Sequence, residues 1–336
     1  MKFDTKKFLS IARSLKIPSF LAGQQSSIGL DIGSSSIKFL ELELKGKERQ
    51  LKCFAIAELT PGADICGVLK TLIESKEISG RQVNTSLSGQ SVIMRYITLP
   101  RMALSELKST MQFEAGQYIP FPRDEVVLDC AIVKEKIENN KMLVVLAAVK
   151  KPIIQERISL LEKAGLTVRV IDIDCFCLSN AFNYSYQRGP EAIGSGKLEV
   201  IGLLNIGANF TNMVIIDSGT LRFSRDIAFG GSEVTLSNLA ADISSSIDYY
   251  DNQSGKHIEK VYLSGRAADS SSIVNFLNHQ LGITVTDYDF FTGLSLGPGI
   301  SRQGNGLAFH TAKAINAEGL KAKGNSFAIA LGLALR

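Results

Sequence analysis

The chain has 336 residues, a net charge of +4, 45% hydrophobic and 21% charged residues, and no biased tract. That balance excludes a disordered, collagenous or coiled-coil protein and predicts about two packed domains with a large buried core. No run nears the roughly 18 consecutive apolar residues of a membrane span and no uninterrupted apolar core of a signal peptide opens the chain, so a cytoplasmic protein is expected.

In chain order, residues 1–25 come first as a basic amphipathic segment. Lys2, Lys6, Lys7, Arg13 and Lys16 against Asp4 account for the whole net charge, which leaves the body neutral. In a helix Phe8, Ile11, Ala12 and Leu15 share one face, and Pro18 ends it. Packing on the body and contact of residues 1–17 with an anionic membrane surface or an acidic partner both fit this pattern. Nucleic acid does not, because nothing in the neutral body continues the basic footprint.

From residue 26 the pattern predicts an α/β layer: strands around 28–44, "QLKCFAIAEL" as a third, a helix over Ile65 to Glu74, and "QVNTSLS" as a strand. "VIMRYITL" starts a separate unit, with a helix over Ser105 to Tyr118 stopped by Pro120 and Pro122. "VVLDCAIVK" and "KMLVVLAAVK" form a hairpin turning at "ENN". A helix carrying Ile154, Ile158 and Leu161 then ends at Gly165, and the strand "TVRVIDID" leads back to the first sheet. "QRGPEAIGSGK" reads as the domain junction. Beyond it lie "LEVIGLLNIG", "TNMVIID", a turn at Ser218 and Gly219, "LRFSRDIAF", a helix with Ile243, Ile247 and Tyr250, "KVYLSG", a helix over Ser271 to Leu281, "ITVTD", and a buried helix in "FAIALGLALR".

Cys53, Cys66, Cys130, Cys175 and Cys177 include no Cys-x-x-Cys pair and read as reduced core residues. His257, His279 and His310 lack partners at ligand spacing, so no metal site is assigned. The chain holds no "GxSxG", "HExxH" or lysine-bearing P-loop, and no catalytic residue is assigned either.

The chemical signal is a repeat. "IGLDIGSSSIKFLEL" (28–42) and "GLLNIGANFTNMVIID" (202–217) each run an apolar strand into a glycine turn, where successive backbone N–H groups can cradle an anion. Asp31 ends the first strand, placed to hold a hydrated magnesium ion, with Gly33, Ser34, Ser35, Ser36 and Lys38 as donors around a phosphate. One such loop also suits an ordinary hairpin tip.

Together with "ITLPRM", "FEAGQYIPFPRDEVVLD", "LEKAGLTVRVIDID", "FSRDIAFGGSEVT", "YLSGRA" and "AIALGLALR", the repeat resembles the actin-like superfamily, and within it the PilM family of type IV pilus platforms, itself similar to FtsA. The resemblance implies a duplicated, ribonuclease H-like α/β fold with an inserted 1C subdomain. Residues 26–91 would be the first part of domain 1, 92–167 the insert, 168–200 the rest of domain 1, 201–326 domain 2, and 327–336 a helix returning to domain 1. It implies a second phosphate loop at Asn205, Gly207 and Thr211, glycines Gly230 and Gly231, and an adenosine-side turn at Gly265 and Arg266. ATP with magnesium is the cofactor so implied, though no cofactor is required by the residues themselves.

Three departures speak against turnover. Asn205 stands where superfamily members commonly carry an aspartate, Arg266 replaces a glycine, and the stretch after "GGSEVT" is too short for subdomain 2B. The expectation is therefore a non-enzymatic scaffold, peripheral at the inner membrane. It would bind the N-terminal peptide of a PilN-like bitopic membrane protein and meet other platform and motor proteins. The peptide contacts implied are Met111, Tyr118, Ile119, Pro120 and Phe121, although a core-packed turn explains "QYIPFP" equally well. An actin-like ATPase, or a type II secretion platform protein, is the alternative.

Overall fold

Apolar side chains that alternate or run unbroken build three sheets, seen in a computed structural model that describes residues 26–45, 48–74, 80–89, 92–189, 200–230, 236–266, 270–297 and 324–336. The basic segment 1–25, Gly231 and His310 lie outside these residues.

The first sheet has the order β14-β3-β2-β1-β4-β8. Its strands are β1 (Ser26–Ile32), β2 (Ser36–Lys45), β3 (Glu48–Glu58), β4 (Gln82–Leu87), β8 (Thr167–Ile173) and β14 (Ser295–Leu296). β1, β2 and β3 form an antiparallel meander, while β4 pairs parallel to β1 and β8 parallel to β4. The second sheet, ordered β11-β10-β9-β12-β13, repeats that plan. Here β9 (Val200–Ile206), β10 (Thr211–Asp217) and β11 (Thr220–Ile227) are the meander, and β12 (Lys260–Gly265) and β13 (Thr284–Asp287) run parallel to β9. Every residue of β10 is buried, as expected of a strand covered on both faces.

Inside the first half, between β4 and β8, lies the insert: β5 (Val92–Pro100), α2 (Leu104–Glu114), β6 (Val126–Ile137) and β7 (Lys141–Lys150), in the order β5-β7-β6. α1 (Ile65–Glu74) precedes it. The helix α3 (Lys151–Lys163) follows, and it differs from the sequence expectation that ended the insert at 167. α3 buries Ile154 and Leu161 with Leu30, Val83 and Ile171 of the first sheet as well as Val127 and Val149 of the insert, because its apolar stripe faces the seam between the two.

A single apolar cluster joins the two halves. α4 (Asp174–Tyr186) and α7 (Ala328–Ala334) pack together between the sheets, so Phe176 and Leu331 share a core with Leu40 and Leu51 on one side and Leu203 and Val214 on the other. The second half adds α5 (Leu236–Ser254) and α6 (Ser271–Leu281). The chain rejoins the first sheet earlier than expected. Ser295 pairs with Gln50, although 201–326 was assigned wholly to domain 2. All five cysteines are free, as expected.

Candidate functional site

β1, β4 and β8 run parallel, so their carboxyl ends meet at one edge of the first sheet, where open α/β sheets commonly bind ligands. There a cavity of about 410 Å³ is lined by Asp31, Gly33, Ser34, Ser86, Arg157 and Asp174, with apolar side chains from α1 and α3. Lys38 binds Asp31 at 3.0 Å, and both side chains are only 13% exposed. Asp174 opens α4, where a carboxylate is favoured by the helix dipole. Burial first, and then the Asp31 and Asp226 carboxylates, push its carboxyl up to about 7 against hydrogen bonds from Ser86 and Ser88. Arg157 donates to the Thr85 hydroxyl at 3.1 Å and the Ser86 carbonyl at 3.0 Å, and burial lowers its pKa.

Sequence reasoning found Asp31, Gly33, Ser34 and Lys38 but missed Asp174, Arg157 and Asp226. The available signal was positional: Ser86 and Ser88 in "SLSGQ" and Asp174 in "IDID" both sit where a predicted strand ends. Of the remaining first-loop residues, the Ser35 carbonyl accepts the Leu59 N–H at 2.8 Å, and Ser36 is buried.

The second loop lines no part of this cavity. Its hairpin matches the first in detail, since the Gly33 N–H donates to the Ser36 carbonyl at 3.0 Å and the Gly207 N–H to the Phe210 carbonyl at 2.9 Å. Each glycine N–H is thus consumed within its own turn. The Asn205 amide is engaged at both ends, donating to Asn212 Oδ1 at 3.0 Å and accepting from the Ser264 hydroxyl at 3.3 Å. Thr211 gives its hydroxyl proton to the Phe229 carbonyl at 2.8 Å.

Gly230 and Gly265 serve close packing of chain on chain. A Cβ on Gly230 would stand 1.8 Å from the Ala208 carbonyl oxygen, and one on Gly265, whose φ is +86°, would stand 2.5 Å from the Ile206 oxygen. Arg266 reaches across the rim to Glu58 at 3.6 Å. Of the groups expected to receive a magnesium triphosphate, the Gly33 and Gly207 N–H, the Asn205 amide and the Thr211 hydroxyl already bond within the protein, and Asp31 is paired with Lys38. No group of three or more His, Cys, Asp or Glu side chains suited to a metal ion occurs among the described residues.

The other candidate region is the insert. Met111 and Ile119, expected to meet a peptide, are core residues. Met111 is fully buried with Leu107, Ala115, Cys130 and Leu146, and Ile119 joins the same cluster, because the apolar stripe of α2 faces the sheet. Tyr118 and Phe121 are half-buried, with Lys150 Nζ 4.2 Å from the centre of the Phe121 ring, and Pro120 is exposed. The open groove lies elsewhere on the insert. It has a volume of about 880 Å³ and runs from Met102 and Leu104, where β5 leads into α2, along Ala131–Val133 of β6 to Met142. β6 is an edge strand of its sheet among the described residues. No described helix is long and apolar enough to cross a membrane.

Residues 29–237 match the family model of type IV pilus assembly protein PilM. Among solved structures, the chain is similar to a PilM–PilN type IV pilus biogenesis complex, at 25% identity and a TM-score of 0.75 over 92% of this chain and 98% of that one. It is more distantly similar to a Bacteroides thetaiotaomicron protein with an actin-like ATPase fold, at 12% identity and a TM-score of 0.48 over 81% and 93% of the two chains. Likewise it is similar to the ethanolamine utilization protein EutJ from Carboxydothermus hydrogenoformans, at 11% identity and a TM-score of 0.47 over 97% and 95%. With well over half its length matched by that family model, the chain belongs to the PilM family of type IV pilus assembly proteins.

Proposed function

We propose that this chain is a cytoplasmic, non-enzymatic scaffold of a type IV pilus platform, held at the inner membrane by the N-terminal cytoplasmic peptide of a PilN-like protein. The observation that carries this reading is its similarity over nearly the whole chain to the PilM–PilN complex. The groove on the insert supports it. An extended peptide can continue the insert sheet at the edge of β6 and seat apolar side chains against Met102, Leu104, Ile132 and Met142. "QYIPFP" then acts as the packed turn that fixes α2, and other platform and motor proteins meet the assembled pair.

Calorimetry with a synthetic PilN-like N-terminal peptide tests this. Met102→Glu and Leu104→Glu are expected to weaken binding at least about tenfold, or about 1.4 kcal/mol, whereas Tyr118→Ala with Phe121→Ala leaves it within about twofold. Wild-type affinity in both glutamate variants would remove the groove. Phosphate release from magnesium ATP by the purified protein would overturn the non-enzymatic reading.

A further inference from the structure

We propose that the cleft between the two halves is latched from within by the Asp226 carboxylate, which holds the end of β4 to the second sheet in place of any ligand.

The latch is a continuous line of hydrogen bonds. Asp226, on the edge strand β11, accepts the Gly89 N–H on Oδ2 at 2.5 Å and the Asn212 amide on Oδ1 at 2.8 Å. The line continues through Asn205 to the Ser264 hydroxyl, which also reaches the Leu204 carbonyl at 3.2 Å. One chain of side chains thus crosses β12, β9, β10 and β11 and ends on the backbone of the first half. Both carboxylate oxygens are used, and bonds to an ionised acceptor are roughly twice as strong as neutral ones.

Two features shape the contact on the Gly89 side. Gly89 has φ +71°, a conformation that glycine adopts without strain, and it is from this turn that its N–H reaches Asp226. The Phe210 ring, at the tip of the second loop, lies near this turn, where a Cβ built on Gly89 would stand 3.6 Å from it. At another point of the rim, Arg266 and Glu58 tie the same two halves. A polyphosphate entering here would meet the Asp226 carboxylate and those of Asp31 and Asp174 in the adjoining cavity. It would also have to strip an acceptor from Gly89 and Asn212, at a cost that leaves buried donors unpaired.

The latch predicts a closed cleft that ignores nucleotide. Spin labels at Lys163→Cys and Gln280→Cys, exposed sites on α3 and α6, report the spacing of the halves in a Cys66→Ser background, the other four cysteines being buried. The full-length protein is expected to give one narrow distance distribution by double electron–electron resonance, unchanged by magnesium ATP. Asp226→Ala is expected to broaden and lengthen that distribution and to speed hydrogen exchange at the Gly89 amide at least about tenfold, the loss of one such bond. A distribution unaltered by Asp226→Ala would overturn the latch, and so would a shift of the wild type with magnesium ATP. Should Asp226→Ala not fold, Asp226→Leu, close in size and without an acceptor, carries the same two readouts. Peptide affinity enters neither, so failure of the latch and failure of the scaffold reading are separable.

Discussion

The two glycine hairpins share a backbone and differ in charge. Asp31 faces Lys38 across β1 and β2, and Asn205 faces Asn212 at the equivalent register across β9 and β10, each pair separated by 3.0 Å. An ion pair closes on itself, so the first hairpin can stand beside a cavity without an uncompensated charge. An amide both donates and accepts, so the second hairpin passes hydrogen bonds onward to Ser264 at one end and Asp226 at the other. One duplicated turn has thus become a local neutral pair in the first half and a link of a long network in the second.

Exchanging the chemistries tests that difference most strongly. Asn205→Asp would set a carboxylate oxygen against Asn212 Oδ1 and add charge to a network that already ends on Asp226. A loss of about 3 kcal/mol in urea unfolding is expected. Adding Asn212→Lys rebuilds the pair of the first hairpin and should recover at least about 1 kcal/mol as coupling energy. No recovery would mean that the two turns are not interchangeable.

Next in size is Asp31→Ala, which leaves Lys38 without its partner. With both side chains largely buried but not sealed, the effect should fall between those of surface and interior pairs, at about 2 kcal/mol by the same measurement. A loss near zero would show that the pair faces solvent in effect.

Asp174 gives a pH signature. Its carboxyl rises from 3.8 to about 7 in the folded protein, so the native state keeps a proton that the unfolded state releases. Stability from this group therefore falls as pH rises through that window, and the loss is complete above about 7. The groups facing it are Asp31 and Asp226, which oppose its charge, Ser86 and Ser88, which favour it, and Arg157. Asp174→Asn is expected to raise the melting temperature at pH 8 and to flatten its decline between pH 5 and 8. An unchanged pH profile would place the carboxyl in solvent.

The smallest effect belongs to Arg266→Ala. Its pair with Glu58 is 67% and 51% exposed, so the change should stay within about 0.5 kcal/mol and vanish in 1 M salt. A larger loss would make the rim contact a principal tie between the halves rather than an accessory to Asp226.

Much of the fold was legible because the period of apolar side chains is a local property. The helix over Ser271 to Leu281 has the expected bounds, the hairpin at "ENN" turns on Asn139 and Asn140 with positive φ, and Gly165 ends α3 with φ +82°. The candidate site was legible only in part. Met111 was a contact implied by the family resemblance, which places a peptide near α2 without saying which face of the helix is free, and the sheet of the insert covers that side chain.

By itself the sequence determined the duplicated strand–turn–strand plan, the family and the charge carried by each loop, since these depend on residues near one another in the chain. Only the tertiary structure decided that Ser295 pairs with Gln50, that α3 packs at the seam between the first sheet and the insert, and that Asp226 meets Gly89. It also decided that Asp174 is buried, with the Asp31 carboxylate near it, so that it keeps a proton near neutral pH. The physical reason is that such partners lie far apart along the chain, and their contact follows from how the sheets stack rather than from any local pattern.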